Sequence, residues 1–305
     1  KKISVIYRSG LILDIFKMRA KTREAKTQGE LALCQYLLPR LAGQWTHLER
    51  QRGGVGTRAG MGETQIEIDR RLVRDKISKL KLDLIKIESE RKTQSQKRDN
   101  EYRVALVGYT NAGKSTLFNS LTGNKVYVED QLFATLDTTV RKLKLNKKHQ
   151  VLLSDTVGFV RKLPHNLVAS FKSTLKELLE SDHILIVLDA SSSIINEHID
   201  TIMEVLSELG ADKISKSFIL NKIDLVDDES TIKNLKSEYN EGLFISALHH
   251  LKLADIRAHL IKKIETNFKT FNVRVTYEQG KILSQIQDQA EIIHTDYGDK
   301  YIDLK

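Results

Sequence analysis

Eight consecutive residues, Gly108 to Ser115, have the types and spacing needed to bind phosphate. Their pattern is G-x-x-x-x-G-K-S. Its glycines let the backbone wrap around phosphate oxygens, and the lysine, Lys114, can reach the β- and γ-phosphates. The apolar segment Tyr102 to Val107 before the pattern predicts a buried strand, and Thr116 to Leu121 after it predicts a helix. The chain is therefore predicted to bind a nucleoside triphosphate, with the Ser115 hydroxyl offered to Mg²⁺.

A second motif bears on which base the site accepts. The apolar stretch Phe218 to Leu220 predicts a strand, and Asn221-Lys222-Ile223-Asp224 follows it. An aspartate there can accept hydrogen bonds from ring N1 and exocyclic N2 of guanine, donors that adenine lacks on that edge. Because a buried carboxylate left unpaired is costly, such a site should reject adenine. Ser246-Ala247-Leu248, after the apolar Leu243 to Ile245, fits a loop that closes over the base. Guanine is therefore favoured.

The metal side of the site is predicted from a third motif. Asp155-Thr156-Val157-Gly158 follows the apolar Val151 to Leu153. Asp155 would hold Mg²⁺, through water, and the Gly158 amide would sense the γ-phosphate. These motifs occur along the chain in the order that a guanine-nucleotide site requires, which is more specific than any one of them.

A family resemblance follows from these segments. GYTNAGKST, LFATLDTT, DTVGF and NKID, together with RGGVGTRAGMGETQIEIDRR upstream, resemble the HflX-type GTPases of the Obg–HflX group of translational GTPases. The resemblance runs from about Leu11 to near the C-terminus. It implies that Thr135, within Phe133 to Asp137, is a second Mg²⁺ ligand and a γ-phosphate sensor. Thr138 and Thr139 carry nearby hydroxyls that stay open as alternatives.

The predicted nucleotide site thus combines phosphate, metal and base contacts. Within it, Lys114, Thr135 and Gly158 are expected to act in catalysis, and Ser115, Thr135 and Asp155 to hold Mg²⁺. Its residues are Gly108, Tyr109, Thr110, Asn111, Ala112, Gly113, Lys114, Ser115, Phe133, Ala134, Thr135, Leu136, Asp137, Asp155, Thr156, Val157, Gly158, Asn221, Lys222, Ile223, Asp224, Ser246, Ala247 and Leu248. His249 and His250 follow the last of these and are interpreted as surface histidines rather than metal ligands.

Catalysis is expected to be slow without a partner. Phe159 stands where Ras-type GTPases place a glutamine that orients the attacking water, and phenylalanine cannot orient it. The group that replaces this glutamine could come from elsewhere in the chain, from a partner, or from a monovalent cation. Asn111 bears on the last, because some related GTPases use asparagine here to hold K⁺. A purely conformational role for Asn111 in the loop is an equal alternative.

The alternation of predicted strands and helices after Tyr102 indicates an α/β fold with a mostly parallel sheet and the ligand at its carboxyl edge. By resemblance, residues 1–100 are the remnant of a truncated N-terminal domain, 101–268 the GTPase domain and 269–305 a small C-terminal domain. In the last part, Asn272 to Tyr277, Lys281 to Gln287, Glu291 to His294 and Lys300 to Leu304 are predicted as strand, helix, strand and strand.

Apolar residues at heptad-like spacing predict an antiparallel helical hairpin in the first hundred residues. Two amphipathic helices packed on the body are the alternative. The first stripe is Leu31, Cys34, Leu38 and Leu41, and the second is Ile66, Arg70, Val73, Ile77, Leu80, Leu84 and Ile87. The second helix is predicted from Glu63 to Arg98, long and polar on most faces.

The segment between these helices, Gly43 to Gly62, is predicted to be a loop. It contains six glycines, the only tryptophan (Trp45), and Arg50, Arg52 and Arg58. Such a composition suits RNA contact, since arginine pairs with phosphate and tryptophan stacks on bases, but it also suits disorder. By resemblance, the loop caps the hairpin and reaches toward the peptidyl-transferase region of the large ribosomal subunit.

Charge and composition point to an acidic partner and a reducing compartment. Residues 1–100 hold 23 Lys+Arg against 12 Asp+Glu, whereas the remainder holds 26 against 28. Such asymmetry indicates a polyanion bound by the N-terminal part, with a solvated helix face as the alternative. A single cysteine, Cys34, and apolar runs too short to span a bilayer predict a cytoplasmic protein without a membrane span, which we expect to be monomeric.

Taken with the resemblance, these features predict a GTPase that binds the large ribosomal subunit and splits or rescues stalled ribosomes, or assists subunit assembly, under stress. GTP, GDP and ribosomal RNA are the expected partners, and Mg²⁺ the expected cofactor. Two alternatives are a docking module with the nucleotide as a structural ligand, and an RNA-remodelling enzyme that uses ATP or GTP.

Overall fold

The structure, a computed structural model, describes residues 7–41, 59–95, 101–123, 138–161, 176–266, 271–290 and 292–305. It divides into two compact units, residues 1–258 and 259–305. The N-terminal helices and the sheet that carries the nucleotide motifs both lie in the first unit. The domain boundaries given above, after residues 100 and 268, stay predictions.

A six-stranded sheet forms the centre of the first unit, in the order β2-β3-β1-β4-β5-β6. All neighbouring strands are parallel except β2 and β3, which are antiparallel. Strand β1 lies between β3 and β4, so the loops that follow these three strands meet at one carboxyl edge. The strands are β1 (Tyr102–Gly108), β2 (Thr139–Lys144), β3 (Gln150–Asp155), β4 (His183–Asp189), β5 (Ser215–Asn221) and β6 (Leu243–Phe244).

The central strands are apolar on both sides, as expected for parallel strands covered by helices on two faces. Val104 to Val107 in β1 and Ile184 to Val187 in β4 are fully buried. The α/β fold with a mostly parallel sheet predicted from the sequence is confirmed. The covering helices are α4 (Lys114–Thr122), α5 (Lys176–Leu179), α6 (Ile195–Glu208), α7 (Glu229–Glu238) and α8 (Leu253–Thr266), numbered after the three N-terminal helices.

In the described part of the chain, three α-helices precede the sheet: α1 (Arg8–Arg19), α2 (Arg23–Leu37) and α3 (Ala59–Ser95). The Thr22 hydroxyl caps α2 by accepting a hydrogen bond from the Ala25 amide at 3.1 Å. Helices α2 and α3 pack together as the predicted hairpin. Leu31, Cys34 and Leu80 are buried between them, with Val73, Ile77 and Leu84 packed around these three.

Helix α3 corrects the predicted loop. It already includes Gly60 and Gly62, so the loop cannot extend to Gly62. A glycine costs a helix only about 1 kcal/mol, which the long run of good helix formers after it can offset. The described part of this helix reaches Ser95, and residues 96–98, over which the helix was also predicted, lie outside the described residues. The remainder of that loop, residues 43–58 with Trp45, lies outside the described residues, and the predicted RNA contacts there stay a prediction.

The second unit contains a three-stranded antiparallel sheet in the order β7-β9-β8 and the helix α9 (Gly280–Gln289). The strands are β7 (Val273–Thr276), β8 (Thr295–Tyr297) and β9 (Tyr301–Leu304). Val275, Ile302 and Leu304 form its buried cluster.

The strand predicted over Glu291 to His294 is wrong, because β8 begins at Thr295. The turn between β8 and β9 is closed by the Gly298 amide, which donates to the Tyr301 carbonyl at 2.9 Å. His294 and Lys305 still exchange backbone hydrogen bonds at 2.9 and 3.2 Å, so the pairing extends by one residue before the start of β8.

No helix within the described ranges is both long enough and apolar enough to cross a bilayer.

Candidate functional site

The predicted phosphate loop lies at the carboxyl end of β1, directly before α4. Gly113, which precedes the helix, has φ of +90°, a conformation that favours glycine. A Cβ atom at Gly113 would lie 2.2 Å from the Asn221 amide nitrogen, so any larger residue would collide with the guanine motif. A Cβ at Gly108 would lie 2.2 Å from the Val187 carbonyl of β4. Both glycines of the motif are therefore required by close contacts with neighbouring strands.

Lys114 is buried under this loop, only 6% exposed, and its amine donates to the Tyr109 carbonyl at 3.0 Å. Burial lowers the pKa of Lys114 to about 8, because the charged amine is removed from water, while the nearby Asp155 carboxylate partly opposes the shift. An ammonium group held in this way is poised to bind an anion. Negative phosphate oxygens would restore the solvation that burial removes.

The two predicted metal ligands of the described chain are adjacent. The Ser115 hydroxyl donates to the Asp155 carboxylate at 2.7 Å. Asp155 is fully buried at the end of β3, where it pairs in register with Leu106 of β1. The next residue, Thr156, anchors this strand end by donating its hydroxyl to the Leu106 carbonyl at 2.7 Å. A hydroxyl and a carboxylate oxygen side by side are the hard donors that Mg²⁺ prefers, so the residues present fit that ion.

Gly158 lies against the phosphate loop. A Cβ atom on it would come within 2.8 Å of the Thr110 methyl group and 3.1 Å of the Lys114 amine. The Gly158 backbone is therefore next to the amine predicted to contact the γ-phosphate. A side chain at this position would displace one of the two.

Phe159 packs into the core instead of facing the site. It is 2% exposed and belongs to the same apolar cluster as Val157 and Val160. Its amide donates to the Gly108 carbonyl at 3.0 Å, and its carbonyl accepts from the Thr110 amide at 2.8 Å. Sequence reasoning identified Phe159 only as a missing glutamine. It did not predict that the residue ties the segment after Gly158 to the phosphate loop.

Asn221 connects the two halves of the nucleotide site and is 2% exposed. Its amide nitrogen donates to the Ala112 carbonyl, and its amide oxygen accepts from the Ala247 amide, both at 2.9 Å. The Ala247 carbonyl in turn accepts from the Ser120 hydroxyl of α4 at 2.8 Å. The loop predicted to close over the base is therefore anchored to the phosphate loop and its helix.

Lys222 has a partner that the sequence did not predict. Its amine lies 2.8 Å from the Asp189 carboxylate, and its backbone has φ of +64°. Asp189 ends β4 and pairs in register with Asn221 of β5. An acidic residue at the end of a strand that neighbours the guanine motif is the one sequence signal that could have identified it.

Asp224, the predicted guanine ligand, has one carboxylate oxygen, Oδ1, that is buried and has no hydrogen-bond partner among the described residues. An acceptor held in this way suits the donors of guanine. The other oxygen, Oδ2, lies 3.6 Å from Nε2 of His249. The side chain of His249 is 57% exposed, as expected for a surface histidine, and its contact with Asp224 was not predicted. Leu248, also predicted to contact the base, is 68% exposed.

Some predicted site residues cannot be placed. Phe133, Ala134, Thr135, Leu136 and Asp137 lie outside the described residues, so the role of Thr135 stays a prediction. Of the alternatives to it, Thr139 is the first residue of β2 and pairs in register with Asp155.

Asn111 is exposed and has φ of +65°, a conformation that asparagine tolerates better than most residues. No group of three or more His, Cys, Asp and Glu side chains that could hold a metal occurs among the described residues.

Two protein families match the chain. The family described as 50S ribosome-binding GTPase matches residues 103–222, and the one described as GTP-binding GTPase Middle Region matches residues 19–98. Among solved structures, a GTP-binding protein from the archaeon Sulfolobus solfataricus in complex with GDP is 27% identical, with a TM-score of 0.52. The match covers 84% of this chain and 71% of that one.

Curated relatives extend the match along the whole chain. The GTPase HflX of Caldanaerobacter subterraneus is 41% identical over 305 residues, which cover 99% of this chain and 70% of the relative. The GTPase HflX of Escherichia coli is 42% identical, covering 92% and 66%. That of Flavobacterium psychrophilum is 54% identical over 220 residues, covering 72% and 53%. With its phosphate loop, guanine motif and middle region, this chain belongs to the HflX family of GTPases, which bind and hydrolyse GTP.

Proposed function

We propose that this chain is a GTP-driven switch that binds the large ribosomal subunit through residues 1–100. Its role would be to split or rescue stalled ribosomes, or to assist subunit assembly, under stress, as a cytoplasmic monomer. The family described as 50S ribosome-binding GTPase, which matches residues 103–222, supports this partner. The excess of basic residues in the first hundred, 23 against 12 acidic, supports contact with RNA phosphates.

One observation carries the proposal: the N-terminal helices and the segment after Gly158 share an apolar cluster. Ile12, Leu13 and Phe16 of α1 belong to the same buried cluster as Phe159 and its neighbours. The Arg8 guanidinium also donates to the Arg161 carbonyl at 2.6 Å. A change at Gly158 on hydrolysis would therefore reach α1 through packed groups, which is how switch segments act in other nucleotide-driven proteins.

The chemistry at the phosphates would depend on positioned charge. Lys114 would contact the β- and γ-phosphates, and the Gly158 amide would donate to the γ-phosphate. Ser115 and Asp155 would hold Mg²⁺, which when bound offsets the charge of the phosphate oxygens. Thr135 would be the further Mg²⁺ ligand that the family resemblance implies.

Asp224 would select guanine through its buried oxygen. If the base is selected here, excess ATP should not displace labelled GTP, because adenine would leave the Asp224 carboxylate unpaired. Equal displacement by ATP and GTP would favour the RNA-remodelling alternative. Asp224→Asn should lose GTP affinity at least about tenfold while leaving the fold intact, since one buried acceptor becomes a donor facing the guanine donors.

A role for K⁺ near Asn111 can be tested separately from the role of this residue in the loop. Asn111→Gly keeps the positive φ and removes the side-chain amide. If the amide holds K⁺, turnover should be faster in KCl than in NaCl for the unchanged chain and equal in both salts for the variant. Equal rates in the unchanged chain would eliminate K⁺ as a cofactor.

The proposed partner is tested by GTP turnover at physiological potassium, with and without purified large ribosomal subunits. We expect slow turnover alone, because no glutamine follows Gly158, and a rise of at least about tenfold with the subunit. Small subunits serve as the control. If turnover does not rise although GTP binds tightly, the result would favour the alternative in which the chain is a docking module.

The RNA-binding surface can be tested by charge removal. Arg70, Arg71 and Arg74 line one pocket along α3. Arg71→Gln with Arg74→Gln should weaken subunit binding and reduce its salt dependence. With fewer contacts to phosphates, fewer counterions are released when the subunit binds. Lys281→Gln with Lys300→Gln is the matched control, which removes two exposed charges from the second unit. Equal weakening by both would contradict the assignment of residues 1–100 as the docking region.

A further inference from the structure

Tyr109, the first variable residue of the phosphate loop, contacts three different parts of the first unit. Its carbonyl accepts the hydrogen bond from the Lys114 amine at 3.0 Å. Its hydroxyl accepts one from the Arg161 amide at 3.1 Å. Its ring stacks on that of His198 in α6, with centroids 4.0 Å apart and an interplanar angle of 18°. Among the contacts between described residues, Tyr109 alone in the loop reaches the lysine, the segment after Gly158 and a neighbouring helix.

These contacts fix the position of Gly158. The segment from Gly158 to Arg161 is held at two points: Phe159 pairs with the loop through its backbone, and Arg161 bonds to the Tyr109 hydroxyl. Both points lie within three residues after Gly158, so they limit how far its amide can move from the Lys114 amine. Because the stack on His198 fixes the ring plane, the hydroxyl cannot follow a displaced Arg161 freely.

The hydroxyl contact matters more than the charged contacts around it. The Arg161 guanidinium pairs with Glu197 at 2.6 Å, but both side chains are more than half exposed, and such pairs contribute little. Tyr109, by contrast, is half-buried, and its side chain is held by a hydrogen bond and a ring stack. His198 suits this stack, because burial lowers its pKa and favours the neutral ring, against the opposite influence of Asp189 and Glu197.

We propose that Tyr109 is a positioning residue for GTP hydrolysis: with its ring fixed by His198, its hydroxyl holds the backbone of Arg161 and so sets the distance between Gly158 and Lys114. This inference rests on the role proposed above for Gly158. Tyr109 does not touch the reacting atoms through its side chain. It acts on turnover through Gly158, and not on the strength of nucleotide binding.

The test is Tyr109→Phe, which removes only the hydroxyl and keeps both the stack and the backbone contacts. We expect kcat to fall about tenfold, since small displacements at a reacting centre are costly, while KM for GTP and Kd for GDP change less than about twofold. Amide exchange of Arg161 should accelerate, because its acceptor is lost. Tyr239→Phe is the matched control: its hydroxyl bonds Asn196 on the same helix α6 but not the segment 158–161, and its kcat should be unchanged.

A second pair of variants checks the stack. His198→Ala should lower kcat about as much as Tyr109→Phe, and the double variant should show less than the product of the two losses. His198→Phe keeps a flat ring and should restore kcat.

Three outcomes would overturn the inference. One is unchanged kcat in Tyr109→Phe, and another is a loss of GDP affinity as large as the loss of kcat. The third is a failure of His198→Phe to restore turnover. Gly158→Ala is measured in parallel: if it leaves kcat unchanged, the proposed role of Gly158 fails first, whereas a slow Gly158→Ala beside a fast Tyr109→Phe overturns this inference alone.

Discussion

The side-chain amide of Asn221 donates to the Ala112 carbonyl at 2.9 Å. Through this bond the guanine motif and the phosphate loop form one rigid assembly, although more than a hundred residues separate them. Base recognition and phosphate binding therefore share a structural support. A substitution that disturbs base recognition should therefore also weaken phosphate binding, and the reverse.

Asn221→Ala tests this support. It leaves the Ala112 carbonyl and the Ala247 amide without their buried partner, so the free energy of unfolding should fall by about 2–4 kcal/mol. The Kd for GDP should rise at least about tenfold, since both loops lose their relative position. Urea unfolding and fluorescence titration with a labelled GDP measure the two effects. Asn234→Ala, on the exposed side of α7, is the control, and similar losses there would contradict the assignment.

Proton uptake on nucleotide binding follows from Lys114. Its pKa in the free chain is lowered to about 8, and bound phosphates should return it to its ordinary range or above. At pH 8 binding should therefore take up about half a proton, and at pH 7 about a tenth. GDP affinity should fall as pH rises above 8. Calorimetry in two buffers with different ionisation enthalpies measures the uptake, and its absence at pH 8 would refute the prediction.

The same lowered pKa has an opposite consequence for the stability of the free chain. Between pH 8 and the ordinary lysine value of 10.5, the unfolded chain binds more protons at Lys114 than the folded chain. The contribution of this group to the free energy of unfolding should therefore rise with pH across that window, because the cost of burying a charged amine disappears. Below pH 8 the cost is fully present. Lys114→Met should remove this part of the pH dependence, as measured by urea unfolding at pH 7 to 10.

Phe159→Gln should not create a faster enzyme. Because Phe159 is 2% exposed within the core, a glutamine there would lose apolar burial and place an unpaired amide in the cluster. The free energy of unfolding should fall by about 3–5 kcal/mol, with kcat no higher than in the unchanged chain. Phe159→Leu, which stays apolar, should lose about 1–2 kcal/mol. A stable glutamine variant with raised kcat would show that the side chain faces the site after all.

The hairpin gives a prediction about packing. Leu80 is 8% exposed between α2 and α3, whereas Leu82 on the same helix is 60% exposed. Leu80→Ala should destabilise the hairpin by about 2–4 kcal/mol, and Leu82→Ala by less than about 0.5 kcal/mol. The rate of amide hydrogen exchange in α2, measured for each variant, distinguishes the two effects. Equal effects would mean that α3 presents a different face to α2.

Local patterns were enough to predict the parts of the fold that local chemistry determines. The phosphate loop and its strand and helix follow from a contiguous motif, and the stripe through Val73, Ile77, Leu80 and Leu84 follows from helical periodicity. Helix α1 was not predicted, because its apolar residues, half of the twelve, are spread around the helix instead of forming one stripe, and only some of them are buried by tertiary contacts. The start of α3 was placed too late, since glycine and loop propensity were given more weight than the helix that follows.

Pairs that are distant in sequence explain the remaining misses. The contacts of Lys222 with Asp189, of Tyr109 with His198 and of Asp224 with His249 join residues from different strands, loops and helices. Neither partner has a spacing that identifies the other. Phe159 could be compared with a glutamine by position, but its burial depends on residues of α1 and β4 that no local motif specifies.

Helix α3 is long enough that a small rotation at one end moves the other end far. Its 37 residues correspond to a length of about 55 Å at the usual rise per residue. Its Ser95 end leads within a few residues into β1, the strand that carries the phosphate loop. A tilt of about 10° at that end would move the Ala59 end by roughly 10 Å. A small rotation of the helix beside β1 would thus be enlarged along its length into a displacement of several ångströms at the far end.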